Sequence, residues 1–131
     1  MIVLDTHVLI WLVSNPEKLS KKAKKLIDNE IKKRPLLVSS ISVWEIFMLM
    51  QKRRLILTLD SNTWMEKVEQ LPFLQFVPID NTIASKSVIL PNLIHQDPAD
   101  RMIIATAREN GATLITSDKK ILLYRNVKSV W

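Results

Sequence analysis

Short apolar runs alternate along the chain with longer stretches of helical periodicity. The runs are rich in Val, Ile and Leu, and polar or turn-forming residues bound each of them. Continuous apolar runs of this length are typical of strands that are covered on both faces. Strands are predicted at residues 2–4, 36–38, 76–79, 112–116 and 127–130.

Between these runs, apolar residues recur at intervals of three and four, the spacing of one face of an α-helix. The clearest helix begins at Pro98, because Asp97 can cap its N-terminus and Gly111, the only glycine in the chain, can end it. Helices are predicted at about residues 7–13, 18–33, 41–53, 62–71, 83–88, 98–110 and 118–124.

Strands that alternate with helices indicate an α/β domain with a parallel sheet and right-handed crossovers. We predict a three-layer α/β/α domain with a mainly parallel, roughly five-stranded sheet. Pro78 is expected near an end of the third strand, or else this strand is expected at an edge of the sheet. The length of 131 residues suits one domain spanning residues 1–131.

Composition narrows the classes of function. The chain has no cysteine, which excludes disulfides, thiolate zinc sites and thiol nucleophiles. No apolar run approaches the roughly 20 residues needed to span a bilayer, and no signal peptide is indicated, so we expect a cytoplasmic protein without a membrane partner. The net charge of +6 favours a polyanionic partner. The lysine-rich segment 18–33 is nevertheless interpreted as the solvated face of an amphipathic helix.

Two aspartates follow predicted strands. Asp5 comes directly after the first strand, and Asp118 follows the strand at 112–116. Because the carboxyl ends of parallel strands meet at one edge of a sheet, both acids are expected there. Either could also be an ordinary helix N-cap. Asp97 is interpreted as a cap, and Asp100, at the third helical position, could be its capping-box partner.

Glu45 is harder to explain as a structural residue, because it lies within an apolar helical stripe. An ionised carboxylate buried without a partner costs several kcal/mol. No basic residue lies three or four positions away, although a distant arginine remains an alternative. We interpret Glu45 as facing Asp5, Asp100 and Asp118. Its neighbours on the stripe are Ile41, Trp44, Met48 and Leu49.

Four carboxylates in one place would raise one another's pKa values. A bound cation removes this repulsion, and an all-oxygen site suits Mg²⁺ or Mn²⁺ rather than zinc. The two histidines, His7 and His95, do not have the spacing of a zinc pair. His7 is predicted to be a surface or packing residue on its helix.

Four motifs in sequence order resemble the PIN-domain family and, within it, the VapC-type toxins of toxin–antitoxin pairs. The resemblance implies a PIN fold and a Mg²⁺- or Mn²⁺-dependent endoribonuclease. It also implies a homodimer and inhibition by a VapB-like antitoxin, for which helices near Trp11 and Phe47 are the expected contact surface. The motifs are Ile2–His7, Ser42–Ile46, Asp97–Ala107 and Leu114–Asp118.

Carried onto this sequence, the resemblance assigns both the catalytic and the metal-binding role to four acids. A metal-activated water would attack the scissile phosphate in line and leave 5′-phosphate and 3′-hydroxyl products. Such a mechanism needs no 2′-hydroxyl, so RNA rather than DNA is implied by the resemblance alone. The four acids are Asp5, Glu45, Asp100 and Asp118.

The neighbours of these acids have supporting roles in the same interpretation. Thr6, Ser117 and Asp97 are candidates for hydrogen bonds that support the metal-binding acids. Three basic residues could steer RNA toward the site, although solvated surface charge explains each of them equally well. They are Arg101, Lys119 and Lys120.

Two other classes of protein remain open. The first is a catalytically silent module that keeps the fold for binding RNA or a partner. The second is a phosphoacceptor receiver-like domain, which would need adjacent acids after the first strand and a lysine after the last. Here Asp5 is followed by Thr6 and His7, and Lys128 lies inside the last predicted strand.

Overall fold

The computed structural model describes residues 1–92 and 95–131. The described part contains five strands, which form a single sheet and pair in parallel throughout. The strands are β1 (Ile2–Leu4), β2 (Leu36–Ser39), β3 (Leu74–Val77), β4 (Thr113–Ile115) and β5 (Ser129–Val130). Their order across the sheet is β3-β2-β1-β4-β5, so the first strand of the chain is the central one.

Seven α-helices occupy the described connections between the strands. The lysine-rich helix begins at Lys21, later than predicted, because the Ser20 hydroxyl caps it and a 3₁₀ turn at Pro16–Lys18 precedes it. The helices are α1 (Thr6–Ser14), α2 (Lys21–Ile31), α3 (Ile41–Gln51), α4 (Ser61–Glu69), α5 (Asn81–Val88), α6 (Pro98–Glu109) and α7 (Lys119–Leu123). No helix in residues 1–92 and 95–131 is both long and apolar enough to cross a membrane.

Two hydrophobic cores lie on opposite faces of the sheet. Successive residues of β1 divide between them, since Leu4 packs into the first core and Val3 into the second. Helices α1, α2 and α4 cover the first core, whereas α5, α6 and α7 cover the second. The predicted three-layer α/β/α architecture with a parallel sheet is therefore confirmed.

The edge strand β3 differs from its prediction by two residues, because it spans 74–77 rather than 76–79. Val77 pairs with Ser39 at the end of β2, and Pro78, which has no N–H to offer, follows immediately. The expected place of Pro78 beside a strand end is confirmed. Gly111 follows α6 with a φ of +59°, the left-handed conformation that turns the chain toward β4.

Helix α3 lies between the two helical layers. It follows β2 directly and packs against α1 and α4 on one side and α6 on the other. Ile46 is buried in the first core, while Ile41 packs against the second. The helix therefore crosses the carboxyl edge of the sheet, where side chains from both layers can meet.

Candidate active site

Asp5 continues β1 at the carboxyl edge, where its N–H donates to the carbonyl of Ile115 at 3.0 Å. Its side chain is 7% exposed. One carboxylate oxygen accepts from the N–H of Thr6 at 2.8 Å, and the other accepts from the hydroxyl of Thr116 at 2.6 Å. Asp5 is thus the N-cap of α1 and a buried acid at the end of the central strand.

Asp118 is the N-cap of α7, and its Oδ1 accepts from the N–H groups of Lys120 and Ile121 at 2.8 and 3.3 Å. Its own N–H donates to Thr116 Oγ1 at 3.0 Å. The fully buried Thr116 hydroxyl therefore links Asp118 to Asp5. Sequence reasoning expected this supporting role from Ser117. The structure gives it to Thr116, the residue before.

Glu45 points from α3 toward the start of α1. Its Oε1 accepts a hydrogen bond from the Thr6 hydroxyl at 2.6 Å, and that hydroxyl lies 2.8 Å from the Ser42 hydroxyl. The hydrogen bond expected from Thr6 is therefore present. No lysine or arginine in the described part of the chain forms an ion pair with Glu45. The distant-arginine alternative is thus wrong for these residues.

Asp97 and Asp100 lie at the start of α6. Asp97 is the N-cap, as predicted, and accepts from the N–H of Asp100 at 3.1 Å. Asp100 Oδ2 lies 2.6 Å from Nε2 of His95. The charges of Asp5 and Asp97 act on the Asp100 carboxylate and help to raise its pKa.

The charges of the four acids act on one another: those of Asp5 and Asp100 act on Glu45, that of Asp5 acts on Asp100, and that of Asp118 acts on Asp5. The pKa of Glu45 is raised to about 7 and that of Asp100 to about 6, chiefly because both side chains are buried, and the charge of Asp5 contributes to both shifts. Burial also raises the pKa of Asp5, and the nearby charge of Asp118 adds to the effect. These carboxylates are therefore held close together at a free-energy cost in the absence of a cation.

A divalent cation fits this donor set. The carboxylates of Asp5, Glu45, Asp100 and Asp118 supply the hard oxygen ligands that Mg²⁺ and Mn²⁺ prefer. Among the described residues, the ligand atoms that lie within 4.8 Å of one another are those of His95, Asp100 and Asp118, a group that does not include Asp5 or Glu45. A cation between them would offset the repulsion between the acids and favour their ionised forms, whose pKa values burial chiefly raises.

His95 is the site residue that sequence reasoning missed. It lies in the connection before α6, where neither strand nor helix periodicity indicates the direction of a side chain. One signal could have found it, namely its place two residues before the capping Asp97. His7, by contrast, is exposed on α1 with its ring 5.9 Å from that of Trp11, which confirms its predicted surface or packing role.

The three basic candidates have different surroundings. Arg101 donates from Nε to the carbonyl of His95 at 2.7 Å, and its Nη1 reaches the carbonyls of Ser87 and Val88 at 3.3 and 3.4 Å. These bonds make Arg101 an anchor of the chain before α6 rather than a free steering charge. Lys119 and Lys120 are exposed on α7 beside Asp118, where the sequence placed them.

Comparison with known proteins identifies the class to which this fold and site belong. A family profile described as the PIN domain matches residues 2–127, and the chain therefore belongs to the PIN-domain family. Over 129 residues, 98% of this chain and 95% of the relative, it is 32% identical to Ribonuclease VapC22 of Mycobacterium tuberculosis. The resemblance to VapC-type members of the family is thus confirmed.

Solved structures support the same fold. VapBC2 from Rickettsia felis, bound to a DNA fragment from its promoter, matches with a TM-score of 0.71 and 18% identity, covering 99% of this chain and 98% of the other. FitAcB from Neisseria gonorrhoeae matches with a TM-score of 0.71 and 22% identity, covering 100% and 97%. At these identities the likeness establishes the fold alone.

Proposed function

We propose that this protein is a metal-dependent endoribonuclease and the toxin of a toxin–antitoxin pair. The observation that carries the proposal is the meeting of Asp5, Glu45, Asp100 and Asp118 at one sheet edge, where three of them have raised pKa values. Similarity to a protein named Ribonuclease VapC22 supports RNA as the substrate.

The four acids have two different roles in the proposed reaction, metal binding and proton transfer. When bound, one or two Mg²⁺ or Mn²⁺ ions would activate water for attack and neutralise charge on the scissile phosphate. Asp5, Asp100 and Asp118 hold this charge at the edge of the sheet. Glu45, whose Oε1 accepts a hydrogen bond from the Thr6 hydroxyl, would accept the proton of the attacking water. The bond between phosphorus and the 3′ oxygen would break, and the 3′ oxygen would take a proton from solvent, which leaves a 5′-phosphate and a 3′-hydroxyl.

The residues around the acids fix their orientation. Thr6 holds Glu45, Thr116 holds Asp5 and the backbone of Asp118, and Asp97 holds the first turn that carries Asp100. The bonds from Thr6 to Glu45 and from Thr116 to Asp5 are short, both at 2.6 Å, and such partners orient the side chains that would bind the metal. Of the three basic candidates, Lys119 and Lys120 are exposed and could contact the RNA backbone.

We further propose a VapB-like antitoxin as the partner, a homodimer as the assembly and the cytoplasm as the location. The structural relatives include VapBC2, whose name denotes a pair of proteins, and a toxin–antitoxin complex from Klebsiella pneumoniae. Trp11 packs against Trp131 with ring centroids 5.6 Å apart, and Phe47 packs against the first core. Trp44 on α3 is 57% exposed, which favours a contact surface there.

The activity is tested with the wild type and the Asp5→Asn and Asp100→Asn variants on total cellular RNA, in Mg²⁺ and in EDTA. We expect cleavage by the wild type in Mg²⁺ alone and loss of cleavage in both variants. Asp60→Asn, which changes an exposed helix cap, is the matched control. Cleavage that persists in both variants or in EDTA would contradict the proposal. RNA binding without cleavage by the wild type would favour the silent-module alternative.

The position of Lys128 relative to the last strand argues against the receiver-like alternative. A receiver domain would place a lysine at the carboxyl end of that strand, beside the acids. Lys128 instead precedes β5, and its carbonyl accepts from the N–H of Leu114 at 2.8 Å. Its backbone therefore lies at the amino end of β5, at the edge of the sheet opposite the four acids.

The partner is tested by co-expression with the product of a small reading frame beside this gene. We expect the two proteins to co-purify as a complex of fixed stoichiometry that does not cleave RNA. A complex that cleaves as fast as the free protein would contradict the antitoxin role.

A further inference from the structure

His95 contacts the proposed metal site through a single short hydrogen bond. Its Nε2 lies 2.6 Å from Oδ2 of Asp100, and the two side chains are only 13% and 16% exposed. A bond of this length between a ring nitrogen and a carboxylate is a strong one, because the acceptor carries a charge. Partial burial strengthens it further.

The backbone of His95 is fixed independently of its ring. Arg101 Nε donates to the His95 carbonyl at 2.7 Å, and Arg101 Nη1 reaches the carbonyls of Ser87 and Val88 near the end of α5. Arg101 directly follows Asp100 in α6. The same helical turn therefore carries the acid and the anchor of the residue that bonds to it.

We propose that His95 is a positioning residue for Asp100. Its ring N–H donates to Oδ2 and holds the carboxylate plane, so that Oδ1 is presented to the metal ion. No hydrogen bond to Oδ1 is found among the described residues. The inference rests on the proposed function, because it takes Asp100 as a metal ligand. Partners that orient ligating carboxylates contribute about 10- to 100-fold to metal affinity or activity.

The hydrogen bond distinguishes positioning from direct ligation. The same Nε2 cannot donate to Asp100 and coordinate an ion at once. Ligation through Nε2 would require the ring to leave Oδ2, whereas ligation through Nδ1 is the alternative that the spin-echo measurement below tests. The observed geometry, with the ring bonded to the acid and its backbone anchored by Arg101, favours positioning.

Binding of Mn²⁺, followed by electron paramagnetic resonance, tests the proposal with His95→Ala and His95→Gln. The amide nitrogen of glutamine can replace a donating Nε2. We expect Mn²⁺ to bind about 10- to 100-fold more weakly to the alanine variant and within about threefold of wild type to the glutamine variant. RNA cleavage in saturating Mn²⁺ should follow the same order.

Tyr124→Phe is the matched control. The Tyr124 hydroxyl donates to the carbonyl of Pro91, so the variant loses a bond to the same connection without touching Asp100. Its Mn²⁺ affinity should equal that of wild type. An equal loss in Tyr124→Phe and His95→Ala would show a general effect on the connection and would overturn the positioning role. Thermal unfolding of the metal-free variants checks that each one folds.

Three further results would distinguish positioning from ligation and would separate a failure of the His95 inference from a failure of the proposed metal site. A ¹⁴N coupling of directly bound imidazole in the Mn²⁺ spin-echo spectrum of the wild type would overturn positioning in favour of ligation. Wild-type affinity in His95→Ala, together with weak binding in Asp100→Asn, would overturn the His95 inference alone. Wild-type affinity in Asp100→Asn itself would count against the proposed metal site.

Discussion

Asp5 and Asp60 occupy the same backbone position, the N-cap of a helix, in two different regions of the molecule. Asp60 is exposed and accepts from the N–H and the hydroxyl of Thr63, both at 2.9 Å, and these bonds lower its pKa. Asp5 also accepts two hydrogen bonds, yet its pKa is raised because it is buried and lies near other acids. The difference shows that a capping aspartate can also belong to a functional site. Burial beside other acids is what distinguishes Asp5 from an ordinary cap such as Asp60.

The topology explains why the two roles coincide. Helices α1 and α7 begin at the carboxyl edge, so the residues that cap them lie where a parallel sheet gathers its ligands. Asp60 begins α4, whose N-terminus does not follow a strand of this sheet. A capping aspartate therefore becomes a candidate ligand only where its helix starts directly at the sheet edge.

The largest effect is expected at Asp118, where one substitution can separate the helix-capping role of the side chain from its proposed metal-binding role. Asparagine caps helices as well as aspartate does, so Asp118→Asn should leave the free energy of unfolding nearly unchanged. Loss of a charged ligand should lower RNA cleavage at least about 100-fold, since metal charge supplies several kcal/mol to such reactions. Cleavage rates and chemical denaturation of the same preparations measure both. Equal cleavage by Asp118→Asn and Asp60→Asn would remove the distinction between the two regions.

A smaller effect is expected at the hydroxyl that joins two of the acids. Thr116→Val keeps the shape of a fully buried side chain but leaves Oδ2 of Asp5 without its donor, while the bond from the Thr6 N–H remains. We expect a loss of about 1–3 kcal/mol in the free energy of unfolding and about a 10- to 100-fold loss of cleavage. Thr63→Val, which removes the corresponding bond to the exposed Asp60, is the control and should leave cleavage unchanged. A cleavage loss of similar size in both variants would contradict the prediction.

The pH dependence of stability should have opposite signs in the two regions. The folded protein binds a proton at Glu45 more tightly than the unfolded chain does, since its pKa is about 7 rather than 4.5. The metal-free protein should therefore lose stability as the pH rises from about 4.5 through 7. Asp60, whose pKa is lowered, stabilises above its ordinary value of 3.8, and its contribution is lost as the pH falls.

Denaturation of Glu45→Gln and wild type at pH 5 and pH 8 measures this effect. At pH 8 the variant should be more stable by on the order of 1–2 kcal/mol, a figure reduced for the partial exposure of Glu45. Mg²⁺ should stabilise the wild type more at pH 8 than at pH 5, because it binds the ionised acids. A wild type that gains stability over this pH range relative to the variant would contradict the raised pKa.

The smallest effect is expected for Asp60→Asn. Asparagine retains the capping oxygen, so the free energy of unfolding should change by no more than about 0.5 kcal/mol, and cleavage should stay at the wild-type rate. A large loss of cleavage in this variant would mean that α4 contributes to the active site.

Much of the fold could be predicted from the sequence, because five apolar runs and the helical stripes between them set the order of the elements. The sequence also singled out the four acids, since Asp5 and Asp118 follow strand ends, Asp100 lies in the first turn of a helix and Glu45 interrupts an apolar stripe, and their shared role at one site remains a prediction. The shift of β3 to Leu74–Val77 could not, because its side chains are only partly buried and alternate weakly. Edge strands carry less of the apolar pattern that defines a strand.

The supports of the acids were harder to predict than the acids themselves. Thr116 and Ser117 are adjacent hydroxyls, and only the direction in which β4 ends decides that Thr116 faces Asp5. Arg101 looked like a surface cation because the carbonyls that bind it come from a distant part of the sequence. His95 follows no periodic pattern. Such contacts depend on tertiary structure, which spacing along a chain does not contain.

The hydrogen bond between Asp5 and Thr116 also has a consequence for protein synthesis. The two residues are 111 positions apart, and the central strand β1 gains its β4 neighbour only when residues 113–115 are available. A chain still on the ribosome has Asp5 from the beginning but no partner strand or hydroxyl to hold it. We therefore expect the nascent chain to lack an intact site until the residues through Thr116 have emerged from the ribosome.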